Sequence, residues 1–175
     1  MDFCGPYDKY LANQHREFLH SPLLAGWEFR QKTSLLPQTA EWMSLEKAQD
    51  WVLPSSVRQE LLSDAWAIVI TDIDQHIQYV NARFEEMTGY SRLEAIGLQP
   101  GFLQGEATSP RMRRRIRQGV DRLKPVRGRI INYRKDQTPY WCHIVIRPIV
   151  NRQKEVVNFI AFEQEVQSNG KPIVR

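Results

Sequence analysis

Hydrophobic and polar positions alternate along three consecutive stretches between Arg127 and Val166. Ile130, Ile131 and Tyr133 lead into a polar turn at residues 134–137. Residues 140–149 follow almost without a breaker, then a second polar turn at 151–155, then the apolar run 156–162. β-Branched and aromatic runs joined by turns this short predict antiparallel hairpins, because parallel neighbours need crossovers of a dozen residues. Period two assigns the faces. In the middle strand Tyr140, Cys142, Ile144 and Ile146 share one side, and Trp141, His143, Val145 and Arg147 the other. In the last strand Val157, Phe159, Ala161 and Glu163 lie opposite Asn158, Ile160 and Phe162. Neither face is cleanly polar, so the sheet is expected to be covered on both sides.

The upstream chain supplies the cover. Residues 67–71 and 77–80 read as two short strands around a turn at 72–75. Asn81 then caps a helix that buries Phe84 and Met87 and leaves through Gly89. Ser91 and Glu94 form a capping box over a single turn, and the long loop 98–109 follows. Ser109 and Pro110 open a helix with Met112, Ile116, Val120 and Leu123 as its apolar stripe, ended by Pro125. Before all of this, Trp42, Leu45 and Ala48 recur at helical spacing in residues 39–50, and Pro54 stops them. Ser56 and Gln59 predict a second capping box, with Val57, Leu61 and Ala65 as a stripe. Residues 1–65 are therefore expected to form a partly helical extension that caps the sheet face bearing Trp141, Val145, Ile160 and Phe162, or makes a dimer contact. Residues 66–166 form the domain, and 167–175 a loose tail.

Composition narrows the chemistry. In 175 residues the two cysteines, Cys4 and Cys142, lie far apart, so neither a disulfide framework nor a metal site is expected and a cytoplasmic setting is the simpler one. No apolar run approaches a membrane span. The net charge of +4 permits anionic partners without requiring them. Arg111, Arg113, Arg114, Arg115, Arg117 and Arg122 crowd one helix, but its apolar stripe and the missing helix-turn-helix partner predict a solvated face, and nucleic acid is not expected. His15, His20, His76 and His143 occupy no position suited to an axial haem ligand. With no hydrolytic triad, acid pair, phosphate loop or metal cluster, an enzyme is not expected.

Four stretches carry a resemblance: YVNARFEEMTGYSRLEAIG (79–97), FLQG (102–105), NYRKDQTPYW (132–141) and FIAFEQEV (159–166). In this order and at these gaps they resemble the PAS superfamily, specifically its LOV (light-oxygen-voltage) branch of blue-light-sensing flavoproteins. The resemblance implies an α+β fold: a five-stranded antiparallel sheet with short helices across one face, holding a ligand between them. LOV photosensors carry Asn-Cys-Arg before FLQG, and that cysteine attacks the flavin. Here Gln99, Pro100 and Gly101 stand in those places, so the nucleophile and an arginine for the flavin phosphate are both absent. Of the groups that hold the flavin ring in the family, the resemblance places Gln104 and Asn132 in their usual positions. It puts Cys142 where a second asparagine belongs and Glu163 where the signalling glutamine belongs. A carboxyl at such a place must be solvated, paired with a base, or neutral and hydrogen-bonded to Gln104 or Asn132. Cys142 faces the polar edge of the ring and reads as a packing residue.

The resulting expectation is a non-catalytic regulatory or interaction module with a degenerate pocket, no cofactor and no cysteinyl–flavin photocycle. It would act as a homodimer or on a partner signalling protein through the outer sheet face and the N-terminal extension. The alternative is a photoreceptor or redox sensor that binds FMN or FAD through Gln99, Gln104, Asn132, Cys142 and Glu163 and works by electron transfer from nearby Trp or Tyr residues.

Overall fold

The computed structural model describes residues 35–171. The chain divides into two units, 1–38 and 39–175, and the account below concerns the second. Expectations about Cys4, His15, His20 and the rest of residues 1–34, and about the last four residues, fall outside the described residues. No helix among the described residues is long and apolar enough to cross a membrane.

The elements run α1 (Leu35–Ala48), β1 (Trp51–Val52), α2 (Ser55–Leu61), β2 (Ala67–Asp72), β3 (Ile77–Val80), α3 (Ala82–Thr88) and α4 (Arg92–Ala95). A 3-10 turn (Pro100–Leu103), α5 (Pro110–Asp121), β4 (Val126–Tyr133), β5 (Pro139–Asn151) and β6 (Val156–Val166) follow. All strand pairs are antiparallel, and the main sheet order is β4-β5-β6-β2-β3. The last strand thus lies centrally, with β2 on one side and β5 on the other.

Local chemistry explains the helix boundaries. The Asn81 side chain accepts from Phe84 N at 3.1 Å and from Ile68 N at 2.9 Å, and donates to Trp66 O at 2.9 Å. One side chain therefore starts α3 and ties it to the head of β2. Gly89 closes α3 in the left-handed conformation at φ +75°, where a Cβ would be strained. The capping box of Ser91 and Glu94 forms as the sequence predicts. The box at Ser56 and Gln59 does not: α2 begins two residues earlier, at Ser55 behind Pro54, and has no side-chain cap. Ser56 lies inside the first turn, where its hydroxyl is no longer placed to receive a free N–H. The helix also ends before Ala65, which is exposed. Leu123 falls outside α5, at φ +53° and half exposed, because the chain has already turned toward Pro125.

Two cores sit on the two sheet faces. The inner one joins Val69, Ile130, Ile144 and Phe159 of the sheet to Phe84, Leu103, Met112 and Val120 from the helices. The outer one joins Ile68, Ile70, Ile160 and Phe162 to Trp42, Trp51, Val57 and Leu61 from α1, β1 and α2. Trp42 is 1 % exposed and Phe162 likewise. Trp141, on the same face, stays 37 % exposed beyond the edge of this cover. β1 was not legible as a strand; it pairs Trp51 with Asn151 and Val52 with Val150 on the edge of β5 left free beyond β4. After β6, residues 167–171 close a turn in which Gln167 N donates to Lys171 O at 2.7 Å.

Candidate functional site

The inner face of the sheet, the 98–109 loop and α5 enclose a cavity of about 470 Å³, within the range of small-molecule and cofactor sites. Its lining is sorted by chemistry. Val69, Leu103, Ile130, Ile144 and Phe159 make apolar walls. Gln104, Asn132 and Glu163 place polar groups together, from the loop, β4 and β6 respectively. Arg113, Arg114 and Arg117 on α5 put three exposed cations at its rim.

The loop is fastened where it presents Gln104. Gly105 N donates to Thr108 Oγ1 at 2.9 Å, and that hydroxyl donates to Ile131 O at 2.7 Å. Ala107 N donates to Tyr133 Oη at 2.9 Å. Gly105 lies so close to the Tyr133 ring that a Cβ would stand 2.5 Å from Cε2. Among the described residues the Gln104 side chain has no hydrogen-bond partner, so its amide is open toward the cavity. Asn132 is 4 % exposed and lines the cavity opposite Tyr140 in the β4–β5 ladder. The Tyr140 hydroxyl beside it is buried without a partner at hydrogen-bonding geometry, and burial pushes the phenol far above its usual range. Arg134 closes this end: it donates to Met87 O at 2.9 Å and to Glu165 Oε1 at 2.6 Å, and lies 4.5 Å over the Tyr140 ring.

Gln99, Pro100 and Gly101 also line the cavity. The Gln99 side chain is committed elsewhere, donating to Asp74 O at 3.1 Å. Pro100 starts the 3-10 turn and brings no nucleophile. Cys142 faces inward as its register predicts and is fully buried, yet it does not line the cavity. Its thiol donates to Glu163 Oε2 at 3.6 Å, and burial with the nearby carboxyl pushes the thiol pKa well up. A thiol so placed stays protonated and unreactive.

Glu163 departs from each arrangement expected of it. It is 2 % exposed, so it is not solvated, and its hydrogen-bond partner is Cys142 in place of Gln104, Asn132 or a basic side chain. Burial raises its pKa from 4.5 to about 7.

The arginines are the functional candidates that the helix pattern hid. None of Arg113, Arg114 and Arg117 has an acidic partner among the described residues. The signal lay in their spacing: positions 113, 114 and 117 fall on one side of a helix and flank Ile116, which lines the cavity with them.

Residues 66–168 match the PAS domain family. The blue-light-activated histidine kinase 2 of Erythrobacter litoralis (strain HTCC2594) is 32% identical over 117 residues, which cover 62% of this chain and 34% of that protein. The chain spans about a third or less of the curated relatives it matches. The stretch of this chain that the family match covers is the PAS domain. Among solved structures, one reported as "Flavin Analogue Sheds Light on Light-Oxygen-Voltage Domain Mechanism" superposes with a TM-score of 0.61 at 28% identity, covering 65% of this chain and 87% of that one. The LOV domain from the Erythrobacter litoralis EL346 blue-light activated histidine kinase does so with a TM-score of 0.56 at 32% identity, covering 59% and 97%. This likeness overturns the expectation that the pocket goes without a cofactor. The changes at Gln99, Pro100, Gly101, Cys142 and Glu163 had suggested a degenerate site, but the cavity measures about 470 Å³ and has a sorted lining.

Proposed function

The chain belongs to the PAS domain family, in its LOV branch, and we propose that its cavity binds a flavin as the sensing group without a bond from protein sulfur to the ring. The observation that carries this reading is the sorted lining: apolar walls for a flat aromatic system, amides for its polar edge and arginines for an anionic tail. The residues present fit such a molecule. Gln104 and Asn132 would hold the ring through donor and acceptor groups that few protein partners claim. Arg113, Arg114 and Arg117 would meet a phosphate in place of the arginine that Gly101 does not supply. The apolar walls exclude water from the ring.

A bound flavin supplies visible absorption and the capacity to accept an electron. Pro100 cannot attack it, and Cys142 is held behind Glu163. In this reading an electron would come from a Trp or Tyr residue near the ring. In the same reading the signal leaves through the outer sheet face around Trp141, to a second copy or a partner signalling domain.

The test is uptake of FMN and of riboflavin by the purified chain, read by absorbance and fluorescence quenching. Bound flavin that is fully recovered after illumination and acid precipitation supports the reading. Failure to take up either compound, or flavin left on the protein after precipitation, overturns it.

A further inference from the structure

Glu163 separates two cavities. On β6 it lies between Ala67 of β2 and Ile144 of β5, and it lines the main cavity. It also lines a smaller cleft of about 100 Å³ between α3 and the β2–β6 pair, together with Ala67, Arg83, Glu86 and Glu165. Ala65, Arg83 and Glu86 are exposed, so this cleft reaches solvent. Glu163 is thus a buried lining residue of both.

The groups around it do not neutralise a charge. From β5 come Cys142, whose thiol donates at 3.6 Å, and the phenol of Tyr140. Asn132 on β4 is uncharged and Ala67 on β2 is apolar. Glu165 on β6 is held by Arg134 at 2.6 Å, and Arg83 on α3 is held by Glu86 at 2.9 Å. Arg113, Arg114 and Arg117 belong to the exposed rim on α5. Burial without a counter-charge favours the protonated form of a carboxyl, and exchange of that proton needs a path to water. The cleft offers one.

We propose that Glu163 is the proton relay of the pocket, holding a proton beside the main cavity and exchanging it with solvent through the Arg83–Glu86 cleft. In the exchange an O–H bond of the carboxyl breaks, its electron pair stays on the carboxylate and the proton passes to cleft water; the return step re-forms the bond. No other reactant is needed. The purpose of the relay, balancing charge placed on a flavin, rests on the function proposed above, but the relay itself does not. Its titration near neutrality, with a pKa of about 7, makes both forms accessible.

The experiment is an infrared pH titration of the full chain with glutamate carboxyls isotopically labelled, with and without FMN. A protonated-carboxyl band that disappears around neutral pH and is missing from Glu163→Gln is the expected result. If Glu163→Gln does not fold, a shift of the band in Cys142→Ala assigns it instead. The route is tested by mixing into heavy water: Ala65→Trp, at the exposed rim of the cleft, should slow exchange at the carboxyl by about tenfold or more. A carboxylate at every pH where the chain is folded, or exchange unchanged by Ala65→Trp, overturns the proposal. Flavin that never binds would sink the cofactor assignment alone, because the flavin-free titration still reads Glu163.

Discussion

The Trp51 indole N–H donates to Asn158 Oδ1 at 2.8 Å in a buried setting. Asn158 in turn donates to Thr71 O at 2.9 Å and to Gln78 Oε1 at 3.2 Å, so one hydrogen bond joins the N-terminal cover to three strands of the sheet. Trp51→Phe keeps the ring but leaves the Asn158 oxygen unsatisfied. Urea unfolding should show a loss of about 1–3 kcal/mol.

The buried carboxyl makes stability depend on pH. Glu163 binds its proton more tightly in the folded chain (pKa about 7) than at its ordinary value of 4.5. Its contribution is therefore complete below about pH 4.5 and is lost as the pH rises through about 7. The difference is about 3 kcal/mol, to order of magnitude. Glu163→Gln should remove that part of the pH profile of flavin-free protein, measured as unfolding midpoints at pH 5 and pH 8.

Replacing Arg113, Arg114 and Arg117 together by Ala should separate the two flavin probes. FMN carries the phosphate these side chains would meet, and its dissociation constant should rise by about tenfold or more. Riboflavin, which lacks the phosphate, should bind as before. Equal losses for both would place the arginines outside ligand binding.

Gly105 allows the Gln104 loop to lie against Tyr133. In Gly105→Ala the new Cβ would meet the ring at 2.5 Å, and either the ring or the loop must move. A loss of about 1–3 kcal/mol in stability is expected, together with weaker binding of FMN and riboflavin alike, because Gln104 moves with the loop.

The main sheet was legible because its strands announce themselves locally: alternating faces, short polar turns, and caps at Asn81, Ser91 and Ser109 that need nothing beyond the next three residues. β1 was not, since two residues carry no periodicity and pair only because α1 and α2 bring them to β5. In the site, period two correctly turned Cys142 and Glu163 inward. It could not tell that the thiol would sit behind the carboxyl instead of beside the cavity, a difference of side-chain depth. The arginine helix is exposed, as its charge predicts, but the pattern did not reveal the cavity beside it. Charge on a helix reads as a solvated face, and the cavity it borders is made by loop and sheet residues far away in sequence.

The short pairing of Trp51 and Val52 with β5 bears on where this chain can be cut. The family match begins at residue 66, yet a fragment started there would bare the backbone of Val150 and Asn151 and strip Trp42, Trp51, Val57 and Leu61 from the outer core. An open strand edge beside an apolar face invites self-association. Such a fragment should precipitate or form larger assemblies than the longer chain does, which would put the boundary of the folding unit upstream of the boundary of the homology.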